Sequence, residues 1–200
     1  MSRRSATLEL AVLGLLHDVP MHGYELRKRL NAVLGVFRPL SYGTLYPCLR
    51  GLVQRGWIRE VGSASRRGRI VYELTPAGTD QFRSLLTEAG PAAWEDETFD
   101  VHFAFFARTE QAVRLRILEG RRSRLEERLD HFRQAAQRGR ARVDAWTAEL
   151  QRHGLESTER EVRWLSELIE SERGRSDRPH RPKHPQNPHN PDNHNPDNKE

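Results

Sequence analysis

Residues 41–60, SYGTLYPCLRGLVQRGWIRE, decide the fold. Most of the stretch has the spacing of a helix, but its first residues, which we call its head, are unusual for one. Its apolar residues recur at the spacing of one helix face, which predicts a helix from about Tyr42 to Arg55. The residues of that face are Leu45, Leu49, Leu52 and Val53. Gly43 and Pro47 interrupt the first turns, where a helix built only for packing would carry Ala, Leu or Glu. The head therefore indicates a backbone that a partner approaches closely.

Two helices are predicted before this stretch. The first begins near residues 5–7 and stops before Pro20. Its apolar positions at helical spacing are Leu8, Val12, Leu15 and Leu16. The second runs from Gly23 to about Leu34, and Gly35 occupies its C-cap position. This second helix exposes a basic run formed by Arg27, Lys28 and Arg29.

Two strands and a fourth helix are predicted after the stretch. Residues 57–61 and 70–74 are predicted strands, and the turn between them, GSASRRGR, is small and basic. Thr75-Pro76 supplies an N-cap and a proline at the first helical position, which opens a helix through about Leu86. Three helices, a two-stranded ribbon and a further helix form the order of elements in a winged helix-turn-helix domain.

The composition favours solvated helices around small cores rather than one large globule. Charged residues make up 30% of the 200 residues, and the mean hydropathy is −0.80. No apolar run approaches the ~18–20 residues of a membrane span. No secretory cleavage site follows the basic N-terminus. The single cysteine, Cys48, cannot form an internal disulfide, so we expect a cytoplasmic protein.

Positive charge is concentrated in the first 90 residues. They hold 13 Lys and Arg against 7 Asp and Glu, whereas residues 91–173 hold 15 against 17. Such a surplus is typical of a module that binds a polyanion, although basic surfaces also occur for solubility alone. We therefore predict a mainly α protein with a winged helix-turn-helix DNA-binding domain at 1–90 and a helical, coiled-coil-like dimerisation domain at 91–173. A disordered tail rich in Pro, Asn and His follows at 174–200.

The candidate DNA contacts lie on the head of the third helix, on the second helix and on the basic turn. In a helix-turn-helix, the second helix of the pair enters the major groove with its N-terminal turn. A glycine there lets backbone N–H groups approach phosphates, and Pro47 gives up an N–H that the first turns hold in surplus. The alternatives are a capped core helix with tyrosines packed inward, Tyr46 foremost, and a merely solvated turn. The predicted DNA-binding residues are Ser41, Tyr42, Gly43, Thr44, Tyr46, Arg27, Lys28, Arg66, Arg67 and Arg69.

The second half of the chain is helical in a different style. A phenylalanine-rich cluster at 99–106 is apolar on nearly all sides and should be buried. Over residues 115–150, apolar residues alternate in steps of three and four, which is a heptad seam with Arg122 as one polar intrusion. Gly139 should bend or break this seam, and His153-Gly154 should end it.

A capping box, Thr158 with Glu161, is predicted to open a last helix after the seam. Heptad seams bury their apolar residues against a partner helix. The predicted dimerisation residues are Phe106, Leu118, Leu125, Leu129, Phe132, Leu165 and Ile169.

Three motifs in the first half resemble those of one known family. Residues 20–26, PMHGYEL, are followed by residues 41–47, SYGTLYP, and then by residues 72–78, YELTPAG. In this order and at these gaps, they closely resemble the PadR family of bacterial transcriptional regulators over most of residues 8–90. Residues 114–129, RLRILEGRRSRLEERL, are similar to that family's dimerisation region.

The resemblance implies a homodimer whose paired winged helices bind a palindromic operator and repress transcription. Many relatives respond to small aromatic or multidrug-like compounds. An effector pocket between subunits could then be lined by Trp94, Phe99, His102 and Phe103, although aromatic residues at helical spacing more often form plain core. Two features depart from the family pattern: Cys48 stands where a small residue such as Ala is more usual, and the wing, SRRGRIV, lacks the proline often found there.

Two other classes of function remain open. The winged helix could be a protein-interaction scaffold that reads no DNA sequence. An enzyme that uses Cys48 or the tyrosines is disfavoured, because no base lies near either in sequence. The histidines of the tail lack the spacing of a formed metal site. We therefore expect no enzyme activity, no metal, no cofactor and no membrane partner.

Overall fold

The structure is a computed structural model that describes residues 3–34, 42–62, 70–96, 98–139 and 144–176. The first part contains α1 (Arg3–Asp18), β1 (Met21–His22), α2 (Gly23–Leu34), α3 (Tyr42–Gln54), β2 (Ile58–Val61), β3 (Val71–Leu74) and α4 (Pro76–Thr87). The second part contains α5 (Phe99–Ala104), α6 (Gln111–Gly139) and α7 (Ala145–Ser176), with short 3-10 turns at Pro91–Trp94 and Phe106–Arg108. The predicted mainly α, winged-helix architecture is confirmed, as are its four helices and two strands.

The sheet has one strand more than the sequence predicts. Its order is β1-β3-β2, and both neighbouring pairs are antiparallel. Ile58 of β2 lies opposite Leu74 of β3, and Met21 of β1 lies opposite Tyr72 on the other side of β3. A two-residue strand is too short to show alternation, so no pattern in the sequence indicates β1. This strand ties the start of α2 directly to the wing.

The first core lies where α1 to α4 pack around the sheet. Leu45, Leu49 and Leu52 of α3 are each 0% exposed within it. Gly56 adopts a φ of +72°, which glycine tolerates at a helix C-terminus, and turns the chain from α3 into β2. The hydroxyl of Thr75 accepts a hydrogen bond from the N–H of Gly78 at 3.0 Å and caps α4. The apolar face of α3 is therefore fixed in place by its neighbours.

The second core lies between α6 and α7, which form a long antiparallel hairpin. Arg114 near the start of α6 binds Glu172 near the end of α7, with Nη2 and Oε2 2.6 Å apart. Arg133 near the end of α6 binds Glu159, with Nη2 and Oε1 3.0 Å apart. α6 is described as far as Gly139, and residues 140–143 lie outside the described residues, so the predicted bend or break at Gly139 stays a prediction.

α7 is one continuous helix where the sequence predicts two. It runs through His153-Gly154 and Thr158, so the predicted end of the seam and the predicted capping box are wrong. Thr158 instead donates its hydroxyl to the carbonyl of the preceding turn, and Glu161 binds Arg121 of α6 at 2.8 Å. The N-cap is Asp144, whose Oδ1 accepts from two first-turn N–H groups at 3.0 and 3.1 Å.

The connector formed by α5 and its flanking turns packs into both cores. Phe99 belongs to the second core, whereas Val101 and Phe105 belong to the first. Ala89, before the predicted domain boundary at residue 90, packs in the second core. Side-chain packing therefore crosses that boundary, and the division of the chain into domains stays a prediction.

The predicted tail starts three residues too early. α7 continues through Gly174 to Ser176, so the first residues assigned to the tail are helical. The rest of that prediction, disorder from residue 177 onward, lies outside the described residues. Within the described part of the chain, no helix combines the length and the apolar character that crossing a membrane requires.

Candidate nucleic-acid interface

α3 turns one face to the first core and the opposite face to solvent. Because a helix repeats every 3.6 residues, the residues between the buried leucines gather on that outer face. Its exposed residues are Gly43, Thr44, Tyr46, Pro47, Arg50 and Gln54. The outer face is therefore compact and polar at its head and basic one turn further along. Arg50 belongs to it, although sequence reasoning did not single that residue out.

Pro47 lies inside α3 and not among its surplus N–H groups. α3 begins at Tyr42, so Pro47 is its sixth residue and lies beyond the four N–H groups that start a helix unpaired. The prediction that Pro47 gives up a surplus N–H is therefore wrong. In an α-helix, the missing N–H would have bonded to the carbonyl of Gly43. Gly43 is exposed, so solvent or a bound partner can supply the donor there.

Several predicted contacts cannot be placed. Ser41 and the wing residues Arg66, Arg67 and Arg69 lie outside the described residues. Tyr42 is described by its backbone alone, as the first residue of α3. The assignment of these five residues to a DNA interface stays a prediction.

α2 brings part of its basic run to the surface. Lys28 is exposed and Arg27 is half-buried. Arg29 binds Glu25 one turn earlier, with Nη2 and Oε1 2.7 Å apart. This pair offsets the one acidic charge in the first turn of α2. Lys28 and Arg27 therefore add positive charge to the helix that precedes α3.

Tyr46 lines an open cleft and is not a core residue, so the alternative that packs it inward is wrong. Its side chain is 39% exposed, and the cleft of about 540 Å³ is also lined by His22, Tyr24, Ile70 and Tyr72. Burial is the main cause that raises the pKa of Tyr72 above its usual range. Sequence reasoning missed this cleft because its walls come from β1, α2, α3 and β3, which meet only in the folded chain.

Cys48 packs on the inner side of α3. Burial, and then the negative charge of Glu9, raise the pKa of its thiol to about 12, although Arg55 opposes the rise. The thiolate is the reactive form of cysteine, so this shift disfavours reaction of Cys48 at neutral pH. This agrees with the interpretation of Cys48 as a packing residue.

His102 lines a separate cavity where the two cores meet. The cavity has a volume of about 240 Å³ and lies between α1, the end of α4 and the Pro91–Trp94 turn. Nδ1 of His102 is buried and has no hydrogen-bond partner among the described residues. Burial lowers the pKa of His102 to about 4, so the ring is neutral at pH 7. A buried nitrogen without a partner is a group that a polar ligand can satisfy.

The other three residues predicted for an effector pocket do not line this cavity. The rings of Phe99 and Phe103 have centroids 6.3 and 5.4 Å from that of Trp164, which is 40% exposed at the edge of the second core. Trp94 packs its ring against Gly120 of α6. Within one chain, the structure therefore separates His102 from Trp94, Phe99 and Phe103.

Most residues predicted to join two chains are buried inside this one. Leu118, Leu125 and Leu129 of α6 and Leu165 and Ile169 of α7 are all buried in the single chain. The packing of α6 on α7 accounts for their apolar pattern. Phe106 is half-buried against Phe103, with centroids 4.9 Å apart, and Phe132 alone of the seven is exposed. The assignment of these residues to a dimer interface stays a prediction.

Part of the chain, from α1 to α4, matches a family model. Residues 12–84 match that of the transcriptional regulator PadR-like family, and the match includes α3 and both strands of the wing. The chain belongs to the PadR-like family. As a PadR-like protein, it is a DNA-binding transcriptional regulator with a winged-helix fold. None of the curated proteins matches the chain.

Solved structures of transcriptional regulators resemble this PadR-like chain. One from Thermoplasma acidophilum is 30% identical, with 39% of this chain and 73% of that chain covered and a TM-score of 0.36. Bacillus subtilis PadR in complex with operator DNA is 20% identical, with 82% and 98% covered and a TM-score of 0.39. The same protein in complex with p-coumaric acid is 19% identical, with 86% and 99% covered and a TM-score of 0.39. The assignment to the PadR-like family rests on residues 12–84 and not on these similarities.

Proposed function

We propose that this PadR-like protein is a homodimeric repressor that binds a palindromic operator in the cytoplasm and responds to a small molecule. The observation that carries the proposal is the two-sided character of α3. Its leucines are completely buried, while Gly43, Thr44 and Arg50 lie on one exposed face. A recognition helix needs this combination of a buried apolar face that fixes it and an exposed polar face.

The proposed DNA contacts combine the head of α3 with flanking basic groups. Thr44 and the exposed backbone of Gly43 would approach the major groove. Arg27 and Lys28, which lie on α2, would bind phosphates of the DNA backbone. The remaining proposed contacts, on the head of α3 and on the wing, are Ser41, Tyr42, Tyr46, Arg66, Arg67 and Arg69. Removal of the three wing arginines should weaken binding and flatten its salt dependence, because phosphate contacts release counterions.

Exposed apolar side chains at the tip of the α6–α7 hairpin support the homodimer. Trp146 is 85% exposed, Leu150 is 70% exposed and Phe132 is 41% exposed. A second copy that covered them would remove this apolar surface from water. Sedimentation velocity over a dilution series tests this: Leu150→Lys should yield monomer at concentrations where the wild type is dimer. Gln151→Lys, on the exposed surface of the same helix, is the matched control.

The cavity at His102 supports a response to a small molecule. Its volume of about 240 Å³ exceeds the ~150 Å³ that accepts benzene in a protein interior. The class of ligand that fits is a single-ring aromatic compound with a polar group directed at His102 Nδ1. Such a ligand would touch both α1 of the DNA-binding part and the connector before α6, so its binding could bias how the two parts pack.

A selection of bound sequences from the region upstream of the protein's own gene tests DNA recognition. The expected result is one palindromic site, with Thr44→Ala weaker on that site and Thr87→Ala, exposed at the end of α4, unchanged. If the protein is retained on heparin or DNA only at low salt and enriches no sequence, the scaffold reading replaces the repressor. Thermal unfolding of each variant establishes that a loss of binding is not a loss of fold.

A further inference from the structure

The cleft beside α3 is lined by aromatic side chains that the first core leaves exposed. Tyr24 is 66% exposed, and it shares the cleft with Tyr46 of α3 and with Ile70 before β3. Tyr72 is 5% exposed and lines the same cleft from the sheet. Phenol rings offer an apolar face together with a hydroxyl that donates and accepts hydrogen bonds. A cleft of this kind suits a partner that alternates apolar and polar groups along its length.

Polar groups in the cleft are held in place by the sheet. His22 is paired through β1 with Val71 of β3, and its Nδ1 lies 3.4 Å from the carbonyl oxygen of Ile70. A neutral ring that donates from Nδ1 to this carbonyl presents Nε2 as an acceptor, and a protonated ring donates from both nitrogens. A Cβ built on Gly23 would lie 3.4 Å from the Tyr46 hydroxyl, which places that hydroxyl beside the first turn of α2.

The cleft is continuous with the exposed face of α3. Tyr46 forms part of both, and Arg50 lies one turn further along the same face. Burial, then the charge of Glu60 and then Tyr46 raise the pKa of Tyr72, and the charge of Arg50 opposes the rise. Glu25 also lines the cleft, but Arg29 binds its carboxylate at 2.7 Å. A polyanion that lies along α3 would therefore pass over the cleft without meeting an unpaired carboxylate from α2.

The geometry points to this cleft as the seat of one sugar-phosphate segment of duplex DNA, flanking the groove that α3 enters. The deoxyribose lies against the rings of Tyr24 and Tyr46, and the phosphate accepts hydrogen bonds from their hydroxyls. Arg50 supplies the neighbouring positive charge. Contacts of this kind fix the position of the protein on the duplex and do not read its sequence. The inference rests on the proposed function, namely that the chain binds duplex DNA.

The test is fluorescence anisotropy with the full-length protein and a duplex that carries the selected operator. Tyr24→Ala removes an exposed ring and should weaken binding about tenfold, the loss of one hydrogen bond to a charged phosphate. The same loss should occur on unrelated duplexes, with no change in the slope of log Kd against log salt, because tyrosine carries no charge. Arg50→Ala should reduce that slope by about one. Val19→Ala and Arg83→Ala, exposed on α1's C-terminal side and on α4, are the matched controls.

Ethylation interference locates the contact on the DNA. One phosphate in each half-site should block binding of the wild type when ethylated, and Tyr24→Ala should be insensitive to that ethylation. If the wild type binds its operator while Tyr24→Ala and Tyr46→Phe bind it equally well, the cleft is not a DNA seat and the repressor proposal stands. If the wild type binds no duplex, both proposals fall. Protection of Tyr24 from iodination by a single-ring phenol, without any effect of the variants on DNA binding, would assign the cleft to a small molecule and overturn the inference.

Discussion

The ring of Phe105 lies directly against Gly14 of α1. A methyl group at position 14 would be 2.3 Å from Cε1 and Cζ of that ring, far inside van der Waals contact. Phe105 follows α5, and its ring also meets Phe82 of α4 edge-on, with centroids 5.6 Å apart. This contact seats the connector on the DNA-binding part of the molecule, and it depends on the absence of a side chain at Gly14.

Gly14→Ala should therefore destabilise the protein even though Ala favours helix. The added methyl group must displace the Phe105 ring, at a cost of about 1–3 kcal/mol. Gly154→Ala is the matched control, because a Cβ there meets nothing within 4 Å and should stabilise α7 by up to about 1 kcal/mol. Urea unfolding followed by circular dichroism measures both. Equal stabilisation by the two substitutions would contradict the Phe105–Gly14 contact.

Arg55→Leu should destabilise the first core by removing the positive charge that pairs with Glu9, which then keeps, among the described residues, only the hydrogen bond from Ser5. Glu9 is buried in α1, and its carboxylate oxygens lie 2.9 and 3.0 Å from the two terminal nitrogens of Arg55. Breaking a buried pair from one side costs about 3 kcal/mol. Arg59→Leu breaks the exposed pair with Glu73 and should cost less than about 1 kcal/mol. If denaturant titrations show that both variants lose a similar free energy of unfolding, the buried pair of Glu9 and Arg55 contributes no more than the exposed pair.

Cys48 should resist modification in the native protein. With a thiol pKa of about 12, almost none of it is thiolate at neutral pH. A thiol-specific reagent at pH 7 should therefore react slowly with the folded chain and rapidly after unfolding in guanidinium chloride. Rapid reaction of the folded protein would reopen the enzyme alternative that uses this cysteine.

Acid should destabilise the protein through His102. The pKa of His102 falls from the usual 6.5 to about 4 in the folded chain, so the unfolded chain takes up the proton first. Its contribution to stability is complete above pH 6.5 and is lost as the pH falls from 6.5 to 4, by up to about 1.4 kcal/mol per unit. For His102→Gln, the free energy of unfolding should depend less steeply on pH across this range. His153→Gln, exposed on α7, should keep the wild-type slope.

Local sequence signals predicted the first half well. The bounds of α2 and α3 depend on Gly23, on the leucines of α3 and on Gly56, which all act within a few residues. The sequence did not predict β1 or the cleft, because both form only when Met21 and His22 pair with β3, about fifty residues away. No residue pattern within either segment carries that information.

The errors in the second half have a different cause. Thr158 and Glu161 have the spacing of a capping box, but Glu161 is used by Arg121, 40 residues away on α6. The leucine seam predicted an apolar face without specifying what covers it, and α7 of the same chain covers most of it. Periodicity identifies a surface that must be buried, whereas it does not say whether a helix of the same chain or of a second chain covers that surface.

The connector that packs into both cores restricts more than the shape of one chain. Phe105 is buried in the first core and Phe99 in the second. The connector therefore couples the winged helix to the α6–α7 hairpin that would join it to a second copy. If the proposed homodimer forms, two DNA-binding parts held in this way would turn little relative to each other. Lengthening the spacer between two half-sites by about five base pairs carries one of them to the opposite side of the double helix. The proposed dimer would then bind such an operator through only one winged helix at a time.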